Sequence, residues 1–305
     1  MEIAASLTQF SDRLSPVFVR ELRQGLRAHS FVWAFVTFQV GALTATLLEL
    51  FIFESFDGYT GVFPQIFSNL FRVLLHFGFG LLLPLTQFSA LHSEIGRGRN
   101  IELVLASGLT RWQLVWGKFL VASTLSGLLL ISLLPYLLLR YFLGNAELTA
   151  ILGETASTYL GNMAMNAIVI GASGYTSAVG RIVTIFYFYI IYTLTVFANI
   201  QSFGSRAGTV SPVLSLLCVA LGGVVVSLLA LQLGRARMKL FEDPLDPPSS
   251  AGIFAIAFAL PMVNGVAAGT GGALASFAVL GPLLFLVLMI DRGPGRNSRS
   301  RGLQP

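Results

Sequence analysis

The stretch FLVASTLSGLLLISLLPYLLLRYFL, Phe119–Leu143, decides the fold. Its one charge, Arg140, stands close to its end. A helix rises about 1.5 Å per residue, so a run of this length matches the roughly 30 Å of hydrocarbon in a bilayer. Inside lipid every backbone N–H and C=O must be satisfied within the segment, which leaves the helix as the solution for a single run. Pro135, near the far end, is tolerated in such a helix. The reading is therefore a transmembrane helix.

The same pattern recurs on both sides. Phe31–Phe53 and Phe67–Leu91 precede it, the latter with a kink expected at Pro84. The stretch from Thr155 to Phe203 is too long for one span and breaks at Ser177–Arg181, giving Thr155–Ala178 and Ile182–Phe203. Pro212–Leu233 follows. The apolar run Ala251–Ile290 is long enough for two spans with a turn at Gly269–Gly272. The expected fold is all-α: a polytopic helical membrane protein of about eight transmembrane helices. Composition agrees. Hydrophobic residues make up 55% and charged residues only 11% of the chain, with mean hydropathy +0.78. A soluble domain carries about 25% charged residues, so a typical soluble enzyme, a disordered chain and a secreted disulfide scaffold are excluded. One cysteine, Cys218, makes no internal disulfide, and three histidines argue against a multi-histidine metal site.

Net charge is +5. In this chain it reads as membrane orientation rather than as nucleic-acid binding, and no nucleic-acid partner is expected. With eight spans both termini lie on one side. If that side is the cytoplasm, 16 of the 19 basic residues fall in inner segments, and only Arg72, Arg140 and Arg206 in the outer half. Lys and Arg near spans set orientation, so cytoplasmic termini are expected. Met1–Ser15 lacks the pattern of a cleavable signal peptide. The expected organisation is a tail and interfacial helix (1–30), a six-span core (31–233), a cytoplasmic linker (234–250), two further spans (251–290) and a basic tail (291–305).

Two cytoplasmic segments carry more than orientation. Ser15 can cap a helix and Pro16 suits its first turn. Phe18, Leu22 and Leu26 then repeat every four residues, opposite Arg20, Arg23, Gln24 and Arg27. This is an amphipathic helix suited to the membrane interface. The loop Ser93–Lys118 reads as helix, break, helix. Asn100 caps a short helix that Gly108 ends, and Thr110 with Gln113 forms a capping box for the next. Ile101 and Leu105 lie on one face of the short helix, where apolar positions want a partner.

This loop resembles that of permease subunits of ATP-binding-cassette (ABC) transporters of the type-2, exporter family. The resemblance rests on Glu94, then Asn100-Ile101-Glu102-Leu103-Val104-Leu105, then Ser107-Gly108-Leu109-Thr110-Arg111 and Gly117-Lys118. Ser15-Pro16-Val17-Phe18-Val19-Arg20-Glu21-Leu22-Arg23 is similar to the family's helix before the first span. Arg99-Asn100 stands where the family has Gly-Thr, and Gly108 replaces its usual turn proline. The resemblance covers roughly Ser15–Arg181. It implies a coupling helix that docks on a separate ABC ATPase subunit, with Glu94, Ile101, Glu102, Leu105, Arg111 and Lys118 at the contact. It also implies a homodimer or heterodimer of permeases in the cell's inner (plasma) membrane. The chain itself is not expected to hydrolyse ATP. Its one Gly-Lys pair, Gly117-Lys118, lacks the preceding glycine and following Ser/Thr of a phosphate-binding loop. No cofactor is expected. The alternative is a membrane scaffold or assembly factor that keeps the permease-like shape without transport.

Polar residues inside spans are the remaining candidates. Glu49 and Arg72 fall at similar depth, and an intramembrane charge needs a partner. A Glu49–Arg72 pair is expected, as a helix clamp or as part of a gate. Asn162, Asn166 and Ser173 share one side of the fourth span, either lining a pathway or hydrogen-bonding between helices. Gly171-Ala172-Ser173-Gly174 matches the Gly-x-Ser-Gly of rhomboid-like intramembrane proteases. All three histidines lie upstream of that serine, whereas the resemblance requires a downstream base, so small-residue helix packing is the better reading.

Overall fold

The computed structural model describes residues 16–55, 70–92, 111–142, 148–205, 212–237 and 250–289. Among them helix is nearly the only regular structure. The helices are α1 (Pro16–Arg27), α2 (His29–Ser55), α3 (Leu70–Leu85), α4 (Arg111–Phe142), α5 (Leu148–Ala172), α6 (Ala178–Ser205), α7 (Pro212–Arg237) and α8 (Ser250–Met289). Five of them contain stretches long and apolar enough to cross a membrane: His29–Phe51, Arg111–Leu139, Ala178–Asn199, Leu217–Arg237 and Ser250–Thr270. Leu70–Leu85 and Leu274–Leu288 are shorter apolar helices.

α5, with 25 residues, is long enough to span but is not among the five, because polar residues such as Asn162 and Asn166 lower its hydropathy. It is buried instead, without a break from residue 164 to 174. The break after it falls at 173–177, earlier than the expected Ser177–Arg181. Ser177 explains the shift. Its Oγ accepts the Gly180 N–H at 3.1 Å, so it serves as the cap of α6 rather than as the middle of a loop.

The chain divides into two compact units: Met1–Gln87 with Trp116–Asn166, and Phe88–Val115 with Ala167–Pro305. α8 packs on α6 and α7 within the second unit. In the first unit Phe38, Phe71, Phe79, Leu129 and Leu133 form the centre of the core. Glu49 meets Phe71, Gly41 meets Leu74 and Gly78 meets Phe38, so α2 and α3 run antiparallel. Arg72 meets Glu154, His76 meets Thr158 and Phe79 meets Asn162. The register advances in step, so α3 and α5 run parallel.

In the second unit α7 is the most enclosed helix, with Val225, Val226, Leu229, Leu231 and Leu233 fully buried. α8 loses helical geometry at Gly272, where φ is 69° and ψ −155°. Only glycine adopts such a conformation without strain. Before the break Phe254 lies against Tyr187 and Gly265 beside Ala198. After it Phe277 lies beside Cys218 and Leu280 beside Gly222. The first half therefore runs along α6 and the second along α7. Gly222 packs against Thr195 and Asn199, and Gly223 against Tyr192, so α6 and α7 are antiparallel. The two halves of α8 are then antiparallel too, with the reversal beside the expected turn.

Candidate functional site

The polar face of α5 is the chemically richest part of the first unit. It begins with a defect in α3. Residues Gly78–Leu82 form a π-helical turn, and the Leu83 N–H bonds to Gly78 O. In an α-helix that N–H would serve Phe79 O. The π alternative for Phe79 O is the next nitrogen, which belongs to Pro84 and carries no hydrogen. The Phe79 carbonyl thus has no donor within its own helix. Asn162 Nδ2 supplies one from α5 at 2.6 Å. Asn162 Oδ1 in turn accepts from Asn166 Nδ2 at 2.9 Å, and the same Asn166 amide donates to Ser126 Oγ on α4 at 3.3 Å. Both asparagines are buried. Their amides bind α3, α4 and α5 to each other.

Asn166 and Ser126 also border a cavity of about 50 Å³, with Ser30, Thr86 and Gln87 on its wall. A polar cavity of that size has room for water. Ser173, in the second unit, is likewise buried and bonded: it accepts the Leu91 N–H at 3.0 Å and donates to Ile170 O at 2.7 Å. Its neighbours Gly171 and Gly174 lie against Ala230 and Gly234 of α7, and no Cβ fits at Gly171. The Gly-x-Ser-Gly stretch is a close helix crossing.

A charged group stands at the start of α3 and α5. Arg72 Nε pairs with Glu154 Oε1 at 2.6 Å. His76 Nδ1 lies 3.8 Å from the same carboxylate, and its Nε2 is 3.3 Å from Thr158 Oγ1. Glu49 Oε1 accepts the Phe71 N–H at 3.3 Å. The expected pair Glu49–Arg72 thus becomes part of a wider arrangement, in which Glu49 engages the backbone beside Arg72 and Glu154 engages its side chain. Glu154 was not legible as a partner. The signal was there in Arg72/His76 and Glu154/Thr158, each pair spaced four apart, but the pairing of α3 with α5 that aligns them is not written in either segment.

Of the residues expected at an ATPase contact, Glu94, Ile101, Glu102 and Leu105 lie outside the described residues. Arg111 is the first residue of α4. Lys118, about two turns further, has its Nζ 3.4 Å from Glu21 Oε2 of α1 and is largely buried. Gly25 of α1 rests on Leu125 of α4, where an added Cβ would come within 2.8 Å of Leu125 Cδ1. α1 is therefore fastened to the base of α4 by one ion pair and one close contact. On α1 the side chains of Arg20, Arg23, Gln24 and Arg27 are exposed and Phe18 and Leu22 half-buried. Leu26 is exposed as well. Among the described residues no group of three or more His, Cys, Asp or Glu is placed to hold a metal. No family model matches the chain, and no curated protein or solved structure matches it either.

Proposed function

We propose that this chain is the membrane-spanning permease subunit of an ABC exporter, which moves a substrate across the cell membrane using ATP hydrolysed by a separate subunit. The observation that carries the reading is the Lys118–Glu21 ion pair. The sequence resemblance sets a coupling helix at Asn100–Leu105, a few residues before α4. A force on that segment reaches Arg111 and then Lys118, and the fastening moves α1 and α4 together as one rigid piece. A loop that only joined two spans would gain nothing from such a lock.

Eight spans with cytoplasmic termini fit the same reading. The strand of evidence is directional: α2 and α3 run antiparallel, α3 and α5 parallel, and the halves of α8 follow α6 and α7 in opposite senses. An even number of spans then agrees with the 16-to-3 charge division. Two copies, or this chain with a related one, would complete the transporter.

One observation favours a second reading, a membrane scaffold with a permease-like fold. Asn162, Asn166 and Ser173 spend their hydrogen bonds on helix contacts rather than facing an open path. Cross-linking tests the first reading. A cysteine at Leu105, in a Cys218→Ser background, should cross-link to an ATPase subunit in native membranes. Cross-links only to lipid or to the chain itself would remove the coupling assignment and favour the scaffold.

A further inference from the structure

One chain of hydrogen bonds in the first unit stops at an unmet oxygen. Phe79 O can only accept, so Asn162 turns its amide nitrogen to that carbonyl and its Oδ1 to Asn166. Asn166 must answer with its own amide nitrogen, whose two hydrogens go to Asn162 and to Ser126. Its Oδ1 is left over and takes no bond among the described residues. Asn166 is 1% exposed. An amide oxygen kept from water without a donor is costly, and within a bilayer no other solvent supplies one.

The cavity of about 50 Å³ is where a donor can reach it. Asn166 and Ser126, both buried, stand on its wall together with Ser30, Thr86 and Gln87, of which Ser30 and Thr86 are exposed. All of these residues belong to the first unit. Ser30 is the second residue of the apolar stretch His29–Phe51, and Thr86 and Gln87 directly follow Leu70–Leu85. The exposed part of the wall therefore lies at the edge of the apolar segments, where water is met, and the buried part lies inside them. The Ser30 hydroxyl and Gln87 Oε1 also take no bond among the described residues. None of the lining residues is charged. Such a wall suits a neutral occupant that both donates and accepts, and the volume admits about three to five waters at roughly 10–15 Å³ each. We infer that the cavity is a blind water inlet, in which a short file of ordered waters runs from the membrane boundary to Asn166 and gives its Oδ1 a donor. Beyond Asn166 the amides are spent on helix contacts, so the inlet goes no further. The inference rests on the first unit alone and is the same for a transporter or a scaffold.

Silver ion, small enough to follow water, is the probe. Ala122→Cys and Ser126→Cys each put a thiol on the cavity wall, and Ala45→Cys puts one equally deep in the core of the same unit, away from the cavity. Each is made in the Cys218→Ser background and purified full length in detergent. After a timed exposure to silver, the thiols that remain are counted with a maleimide dye on the unfolded chain. Ala122→Cys and Ser126→Cys should each react at least about tenfold faster than Ala45→Cys, since the reactive thiolate forms only where water reaches it. The two wall positions are independent, so one misfolded variant leaves the test intact. Equal rates at wall and core would overturn the inlet. Fast reaction at the wall only after bound lipid is stripped would overturn it as well and assign the cavity to an acyl chain.

Discussion

Asn162 and Pro84 act on one carbonyl, Phe79 O. Proline removes the N–H that would close the ladder at Phe79 O, and asparagine replaces it from another helix. Asn162→Leu should strand that carbonyl in the core and cost about 1–3 kcal/mol. Pro84→Ala restores an N–H and lets α3 wind regularly, so Asn162→Leu should cost measurably less in that background. Unfolding in mixed detergent micelles measures both. An equal cost in the two backgrounds would show that the asparagine serves something other than the π-turn. The Arg72–Glu154 pair is tested in the same assay. Double-mutant cycles with Arg72→Gln and Glu154→Gln should give a coupling of about 0.5–2 kcal/mol, in the range of polar contacts between membrane helices. Additive effects would reject it. The kink at Pro84 was legible from the residue type alone. Its consequence for Phe79 was not, because the compensating donor comes from α5, distant in sequence.

At the scale of the helix, length and apolarity carried the reading, and polarity misled it only at the edges. α2, α4, α6 and α7 follow from uninterrupted apolar runs. The reversal in α8 was legible because its run is twice the length of a span and glycines cluster at its middle, and Gly272 takes the one positive φ among the described residues. Gly272→Ala forces a Cβ into that conformation and should cost about 1–2 kcal/mol. A neutral effect on thermal stability in detergent would mean that α8 can continue through this point without the glycine. The fourth span was expected to start at Thr155. The helix begins at Leu148 and keeps Glu154 inside, since Arg72 balances it. Charge ends a span only where no partner waits. At Gly171 the crossing with α7 leaves no room for a side chain, so Gly171→Leu should push the helices apart and destabilise by about 1–3 kcal/mol.

The proposed cytoplasmic position of the termini predicts that a cysteine at Ser298, in a Cys218→Ser background, resists an impermeant thiol reagent applied to intact cells and reacts once the membrane is opened. Labelling from outside would remove the even-span topology. The order of helices was legible from the sequence, whereas the division into two units was not: the chain passes between them after Gln87, after Val115 within α4 and after Asn166 within α5, and no composition change marks these points. The central claim is that an ATPase works through this chain. Its most direct test is the ATP hydrolysis that accompanies the tagged, folded chain when it is purified from its native membranes. The account predicts hydrolysis that is sensitive to orthovanadate, co-elutes with the chain and disappears with Leu105→Asp while the variant remains inserted. A folded wild-type chain that brings no hydrolysis above an untagged control would contradict it.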